Sequence, residues 1–348
     1  MALASRRPIV PITAIEHSAF CRTEDELPSK PLAEEMAVNV RWQRIPPEYL
    51  HYTAAELDLK IGEARRKLGS SVTILGHHYQ REEVIKYADF QGDSFLLSRE
   101  AATRPEADYI IFCGVHFMAE AACILAAPHQ KVILPNITAG GSMTDMAPMD
   151  DVNDAWADLE EVLGQGGIIP ITYMNSIAGI KALCGRNGGA VCTSSNAKAV
   201  LEWAFDQGER ILFLPDQHLG RNTGLDMGIS LDEMVVWNPF RQLGGNTPEQ
   251  LRTAKMVLWQ GHCSVHTRFT TSQIDAARAL HPDINIVVHP ECPMETVQAA
   301  DMVGSTEFIR EQVNSAPLAA NGGSALRSAW STGWRSTIRV KPFSAWTR

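Results

Sequence analysis

The stretch Val257-Leu-Trp-Gln-Gly-His-Cys-Ser-Val-His266 places one thiol and two imidazoles directly after a short apolar run. The run predicts a buried strand, so Cys263 lies where that strand leads into a loop. Ligands collect at the carboxyl ends of strands in parallel α/β sheets, which makes Cys263, flanked by His262 and His266, a candidate metal or cluster ligand. The alternative interpretation is a small buried thiol with surface histidines beside it, since free cysteine is often buried.

Short apolar runs that end in polar residues recur along the chain. They cover residues 72–76, 109–113, 131–135, 167–172, 188–192, 210–214 and 283–288. Helical segments separate them: a capping box, Thr53-Ala-Ala-Glu56, begins the first helix and Gly69 ends it, and others are predicted from about Arg81 and over 294–302. Residues 220–247, rich in Gly and Asn, are predicted as a long connection. The repetition predicts several related parallel α/β units rather than one long sheet.

Composition limits the class of ligand. The chain has 348 residues, 45% of them hydrophobic, which is enough for two or three compact domains. A formal net charge of -9 argues against a nucleic-acid partner and favours a metabolite-sized ligand. The sequence has no apolar run near the ~18 residues of a membrane span, and Pro8 and Pro11 interrupt any signal-peptide core, so we expect no membrane partner and a cytoplasmic protein.

The cysteines do not form a local metal or disulfide motif. They are Cys21, Cys113, Cys123, Cys184, Cys192, Cys263 and Cys292. Their number is odd, their spacing is wide and irregular, and no Cys-x-x-Cys pair occurs. Any metal site must therefore gather its ligands from distant positions through the fold.

Both ends of the chain differ from the central part. Residues 1–52 have no sustained period and are interpreted as an extension, whereas 314–348 lack acidic residues and hold Trp330, Trp334 and Trp346. We hypothesise that this tail is not the original ending, as a frame shift or gene rearrangement would produce. The predicted organisation is an extension over 1–52, α/β domains over 53–142, 143–265 and 266–313, the third incomplete, and a tail over 314–348.

Nine motifs between about residue 70 and about residue 313 together resemble quinolinate synthase, the NadA family of NAD biosynthesis. The motifs are Gly76-His-His-Tyr-Gln80, Gly92-Asp-Ser94, Gly114-Val-His-Phe-Met-Ala-Glu120, Tyr173-Met-Asn175, Thr193-Ser-Ser-Asn196, Pro215-Asp-Gln-His-Leu-Gly-Arg221, Trp259-Gln-Gly-His-Cys263, His289-Pro-Glu291 and Gly304-Ser-Thr306. The resemblance implies three similar parallel-sheet α/β domains around a pseudo-threefold axis. It also implies condensation of iminoaspartate with dihydroxyacetone phosphate to quinolinate, and a functional link to L-aspartate oxidase.

The resemblance carries a set of site residues onto this chain. The implied substrate-binding residues are His77, Ser94, Tyr173, Asn175, Ser194, His289, Glu291 and Thr306. Glu291 and His289 are the candidates for moving protons, assisted by Tyr79 or Tyr173. Each has a structural alternative: a His after a strand is often only hydrogen-bonded, Tyr173 can be core packing, and Ser94 can be a helix N-cap rather than a phosphate or carboxylate ligand.

The resemblance further implies a [4Fe-4S] cluster held by one Cys from each domain, with an open iron acting as Lewis acid. Cys263 matches one position, but the Cys expected in Ala139-Gly-Gly-Ser-Met143 is replaced by Gly141. The third belongs to the segment that the tail replaces, and Cys113, Cys192 and Cys292 are the possible substitutes.

Three functional hypotheses therefore stand. The first is quinolinate synthase, and the second is a cluster-free homologue that binds dicarboxylate or phosphate without chemistry. The third is a zinc site of Cys263, His262 and His266. Against the third, His262 directly beside Cys263 is poorly placed to chelate the same ion.

Overall fold

The computed structural model describes residues 47–280, 282 and 284–315. The chain divides into two compact units between Arg66 and Lys67. The predicted capping box is present at the start of helix α1, Ala54–Leu68: Thr53 N donates to Glu56 Oε2 at 2.7 Å and Glu56 N donates to Thr53 Oγ1 at 3.3 Å. Gly69 follows the helix with a positive φ of 56°, as predicted for its end. Most of the predicted extension and nearly all of the predicted tail lie outside the described residues.

The first sheet carries four parallel strands. Its elements are β1 Val72–His77, α2 Glu82–Ile85, β2 Phe90–Gly92, α3 Ser94–Ala102, β3 Tyr109–Cys113, α4 His116–Leu125 and β4 Lys131–Ile133. The strand order is β2-β1-β3-β4. Three of these strands were predicted, and β2 was missed because three residues are too few to show a period of 2.

The second sheet has five parallel strands in the order β6-β5-β7-β9-β8. Its strands are β5 Ile169–Tyr173, β6 Ala190–Cys192, β7 Ile211–Leu214, β8 Met234–Trp237 and β9 Met256–Trp259, and the helices before and between them are α5 Ser142–Asp145, α6 Met149–Leu163, α7 Ala178–Arg186, α8 Ala197–Gln207, α9 Gln217–Asp226 and α10 Pro248–Thr253. The prediction of a connection over 220–247 was wrong in part, because it contains the end of α9 and the edge strand β8. Only the last residue of β8 is fully buried, so its apolar signal is weak.

The third sheet pairs two short parallel strands. Its elements are α11 Thr271–Leu280, β10 Val287–Val288, α12 Met294–Ala299, β11 Met302–Val303 and α13 Thr306–Ser315. The helix predicted over 294–302 ends at Ala299, and Met302, the last residue of that range, begins β11. Asp301 explains the break, since its carboxylate accepts the Ile286 N–H at 2.7 Å and ties this point to the entry of β10.

One unit recurs in all three sheets. Its first strand, a connecting helix, a parallel second strand and a following helix are β1-α2-β2-α3, β5-α7-β6-α8 and β10-α12-β11-α13. In each unit the pairing begins two residues before a cavity residue. Leu75 pairs with Phe90 before His77, Ile171 with Ala190 before Tyr173, and Val287 with Met302 before His289. The predicted parallel α/β class is confirmed. The pseudo-threefold arrangement and the domain boundaries stay predictions.

The core joins the first two sheets. One buried apolar cluster contains Leu75 and Phe112 from the first sheet together with Ile171 and Phe213 from the second. Each such side chain contributes about 1.5–3 kcal/mol by burial. This packing positions the strand ends of the two sheets relative to each other. Among the described residues, no helix combines the length and the apolar character that a membrane crossing needs.

Candidate active site

A cavity of about 400 Å³ lies where strands of all three sheets end. Its lining includes every residue predicted for the site: His77, Tyr79, Ser94, Gly141, Tyr173, Asn175, Ser194, Cys263, His289, Glu291 and Thr306. Within the described part of the chain the lining holds no Lys or Arg. An anionic ligand there would be held by hydroxyl, amide and imidazole groups. The roles of these residues remain predictions.

His77 and Tyr79 form the wall contributed by β1. His77 is the last residue of the strand and is buried, and burial lowers its pKa to about 3, with a smaller contribution from His78. The ring of Tyr79 lies against it with centroids 3.7 Å apart. Tyr79 is 46% exposed, and its hydroxyl contacts Met118 Sδ at 3.8 Å. Tyr79 therefore borders the mouth of the cavity, whereas His77 lies deeper.

A hydroxyl follows the second strand of each recurring unit. Ser94 begins α3, Ser194 comes two residues after β6, and Thr306 begins α13. The interpretation of Ser94 as an N-cap was wrong, because the cap is Asp93, whose Oδ1 accepts the main-chain N–H groups of Phe95 and Leu96 at 3.0 and 2.8 Å. Those amides are occupied by Asp93, and Ser94 lines the cavity without a capping role.

Glu291 is the centre of a buried polar network. Its Oε2 lies 3.0 Å from His266 Nδ1, and its Oε1 lies 3.6 Å from His289 Nδ1. The rings of His266 and His289 stack with centroids 4.6 Å apart. Tyr173, at the end of β5, hydrogen-bonds to Glu291 and to Ser194 through its hydroxyl. The network thus joins residues from the second and third sheets.

The charges within this network follow from its burial and its contacts. Burial raises the pKa of Glu291, but the neighbouring His266 and His289 rings and the hydrogen bonds from His266 and Tyr173 outweigh it and lower that pKa overall. Burial would lower the pKa of His266, but Glu291 and the Cys263 sulfur raise it to about 10. Burial lowers the pKa of His289 to about 3. At neutral pH the network therefore contains a carboxylate, an imidazolium and a neutral imidazole.

Burial and the nearby Glu291 carboxylate raise the pKa of Tyr173 well above its ordinary value, so its hydroxyl keeps its proton. Asp216, at the start of α9, is fully buried behind the same network. Burial and then Glu291 also raise its pKa well above the usual range, which keeps a second negative charge out of the site.

Asn222 on α9 was missed by the sequence analysis. Its Nδ2 donates to the carbonyls of Pro290 and Cys292 at 2.8 and 2.9 Å and so clamps the loop that carries His289 and Glu291. The only signal in the sequence was its position directly after the motif that ends at Arg221. A polar residue on a helix does not reveal that its side chain is buried against another sheet.

The two cluster positions that fall among the described residues face the same cavity. Ser142 and Ser264, which directly follow Gly141 and Cys263, have their Oγ atoms 3.1 Å apart. A Cβ atom at Gly141 would meet Thr144 Oγ1 at 3.4 Å and Phe117 Cε1 at 3.5 Å, which are ordinary contacts, and the φ of −123° suits any residue. The backbone therefore does not require glycine at this position.

The described residues do not fit a cluster held by three thiolates. Cys263 is the only Cys among them that lines the cavity. Cys192 and Cys292 are buried in apolar clusters, Cys113 ends β3 away from the lining, and the third predicted position lies outside the described residues. The predicted zinc set was also wrong in one member, because the structure brings Cys263 and His266 together with Glu291 rather than with His262.

Parallel sheets that direct acids, bases and hydroxyls into one shared cavity define an α/β enzyme for a small-molecule substrate. The family model described as quinolinate synthetase A protein matches residues 60–320. Quinolinate synthase of Corynebacterium glutamicum is 57% identical over 277 residues, which are 80% of this chain and 70% of that protein. The quinolinate synthase of a Nocardioides species is 56% identical over 289 residues, 81% of this chain and 71% of that protein. The chain belongs to the NadA family of quinolinate synthases, enzymes of NAD biosynthesis.

Proposed function

We propose that the cavity binds iminoaspartate and dihydroxyacetone phosphate and that this chain condenses them to quinolinate, releasing phosphate and water. The observation that carries the proposal is the meeting of the eight predicted substrate-binding residues in one cavity. Ser94, Ser194 and Thr306 offer hydroxyls to carboxylate or phosphate oxygens, and Asn175 offers an amide. The His266 imidazolium supplies positive charge in a lining whose described residues include no Lys or Arg.

The condensation needs protons to be removed from carbon and nitrogen and delivered to leaving oxygens. Glu291 is ionised, and neutral His289 lies beside it, so both can accept a proton. Tyr173 keeps its proton and contacts Glu291, so it can donate one to a departing oxygen. Tyr79 at the mouth can close over a bound substrate and assist. Burial of this network excludes water that would hydrolyse an imine.

The [4Fe-4S] cluster implied by the family has only one candidate thiolate ligand, Cys263, among the described residues. Gly141 supplies no ligand. We therefore assign no step of the reaction to the cluster, and Gly141 is the specific observation that favours the second candidate function. In that candidate, the chain binds the dicarboxylate and phosphate ligands without catalysing the condensation.

The proposal extends to the setting of the reaction. Iminoaspartate arises by oxidation of the amino group of L-aspartate, so an L-aspartate oxidase is the proposed functional partner, and the cytoplasm is the proposed location.

Anaerobic assays on the full chain separate the two candidates. Dihydroxyacetone phosphate is combined with iminoaspartate formed in situ from oxaloacetate and ammonia, and quinolinate is quantified by chromatography. We expect quinolinate from the wild type and a loss of at least about 100-fold in Glu291→Gln, the usual range for a general acid or base. Glu295→Gln, at an exposed residue outside the lining, is the matched control.

Calorimetry with quinolinate, in the absence of the other reactants, measures binding alone. Binding without turnover would establish the second candidate. Absence of both turnover and binding would overturn both.

A further inference from the structure

Three side chains of different metal-binding types meet at one wall of the cavity. Cys263 Sγ, a ring nitrogen of His266 and a carboxylate oxygen of Glu291 all lie within 4.8 Å of one another. Cys263 and His266 share one tight turn, in which the Thr267 N–H donates to the Cys263 carbonyl at 3.1 Å. Glu291 arrives from the loop after β10. The three ligand types therefore come from two separate segments that the fold brings together.

His266 and Glu291 are buried, whereas Cys263 is partly exposed. His266 is 5% exposed and Glu291 is 2% exposed. Their hydrogen bond, His266 Nδ1 to Glu291 Oε2, has a length of 3.0 Å. The other ring nitrogen, His266 Nε2, is buried with no hydrogen-bond partner among the described residues, a situation that costs about 1–3 kcal/mol.

The spacing suits a single ion. A tetrahedral zinc ion with bonds of about 2.0–2.3 Å holds its ligand atoms about 3.3–3.8 Å apart. The Nδ1 atom of His266 and the Oε2 atom of Glu291 are 3.0 Å apart, a hydrogen-bond distance, so the two atoms must separate by about 0.3 Å to hold an ion between them. A metal ion can replace the proton that they share, and Cys263 Sγ lies within 4.8 Å of the ligand atoms of both residues.

We propose that this chain binds one divalent transition-metal ion, of which Zn²⁺ is the reference, through Cys263, His266 and Glu291. Thiolate, imidazole and carboxylate are the ligand types that zinc accepts, and three protein ligands leave a fourth position open toward the cavity. The site lies beside Gly141, where a cluster would need a further thiolate. Glu291 and His266 are also the proton acceptor and the positive charge of the reaction proposed above, and an ion bound to them would take both groups out of those roles. Metal binding is therefore measured without substrate, separately from quinolinate formation.

Cobalt titration tests the site on the full chain. Metal is removed by a chelator under reducing conditions, Co²⁺ is added anaerobically, and the absorption spectrum is recorded. We expect one Co²⁺ per chain, with a cobalt–thiolate charge-transfer band and the intense visible bands of a tetrahedral ion, and full displacement by one equivalent of Zn²⁺.

Variants then assign the ligands. Cys263→Ser should abolish the charge-transfer band, and His266→Gln and Glu291→Gln should each weaken Zn²⁺ binding by at least the 10–100-fold that removal of an outer-sphere partner costs. Cys123→Ser, at an exposed thiol outside the cavity lining, and His262→Gln, beside Cys263, should bind as the wild type does. Circular dichroism verifies that each variant is folded.

Three results would overturn the proposal. The first is a folded wild type that takes up no Co²⁺ with a thiolate band. The second is brown protein with iron and acid-labile sulfide in equal amounts, because a cluster would then occupy Cys263. The third is binding that survives Glu291→Gln but is lost in His262→Gln.

Discussion

His77 is an imidazole that burial keeps uncharged, with a pKa of about 3. In the unfolded chain the imidazole of His77 titrates at its ordinary pKa of about 6.5. Below that pH the unfolded chain binds a proton there that the folded protein does not, so stability falls as the pH falls toward 3. We expect His77→Gln to reduce the slope of unfolding free energy against pH by up to about 1.4 kcal/mol per pH unit between about pH 6 and about pH 4.

Urea unfolding at several pH values measures this slope. His129→Gln, at an exposed ring, should keep the slope of the wild type. Equal slopes for His77→Gln and the wild type would show that His77 is protonated equally in both states.

Gly141 is a position where the backbone tolerates a side chain. Because a Cβ atom there meets only ordinary contacts, we expect Gly141→Cys to change the free energy of unfolding by less than about 1 kcal/mol. Gly76 in β1 is the contrasting control, since a Cβ atom there would collide with Ile85 and lie 2.8 Å from the Ala88 Cβ. Gly76→Ala should cost about 1–3 kcal/mol. A large loss for Gly141→Cys in urea unfolding would contradict the prediction.

At the start of helix α3, Asp93 caps the helix and Ser94 lines the cavity. Asp93 satisfies two helix amides, so Asp93→Ala should lower the free energy of unfolding by about 1 kcal/mol. Ser94 makes no cap, and Ser94→Ala should change it by less than about 0.5 kcal/mol. Thermal and urea unfolding of the two variants decide the point. Equal losses would restore Ser94 as a structural residue.

Helix α9 holds the loop of the third sheet through Asn222. Asn222→Ala removes two hydrogen bonds to main-chain carbonyls, and we expect a loss of about 1–3 kcal/mol in unfolding free energy together with weaker quinolinate binding. Asn246 is a matched control, because its Nδ2 also donates to two carbonyls, of Val236 and Leu243, away from the cavity. Asn246→Ala should destabilise the protein without changing the dissociation constant for quinolinate. A similar change in the quinolinate dissociation constant of both variants would contradict a positioning role for Asn222.

The elements themselves were predictable where their apolar signal was strong. β3 was predicted residue for residue because Tyr109-Ile-Ile-Phe-Cys113 is a dense apolar run. β8 and β11 were missed because edge and two-residue strands bury few side chains, and their pairing partners, not their own composition, make them strands.

The whole protein brings three sheets to one cavity, and this has a measurable consequence. If one ligand contacts all three sheets, saturating quinolinate should slow amide hydrogen exchange in all three segments around 77–79, 173–175 and 289–291. The reason is that a ligand that binds only the native state suppresses local opening. Peptides from α6, on the far side of the second sheet, serve as the internal control and should gain only the global protection. Protection confined to one segment would contradict a shared site.

The candidate site was predictable in its members but not in their contacts. The eight predicted substrate-binding residues all line the cavity, since a polar residue directly after a buried strand must lie at the sheet edge, but other lining residues such as Phe95 and Thr144 belong to no motif. They did not reveal that His266 pairs with Glu291, 25 residues away, or that Asp93 rather than Ser94 caps α3. Side-chain partners depend on rotamers and on the packing of separate elements.

Apolar runs with polar ends determined the parallel α/β class and the chemical types that the strand ends deliver, because burial and backbone pairing act over a few neighbouring residues. The tertiary structure decided which of these groups meet and which charges they carry. In the sequence Cys263 has no other Cys nearby, yet in the fold its sulfur lies within 4.8 Å of ligand atoms of the buried residues His266 and Glu291. Proximity and desolvation arise only when sheets pack against one another, so pKa values and metal-ligand sets belong to the folded protein.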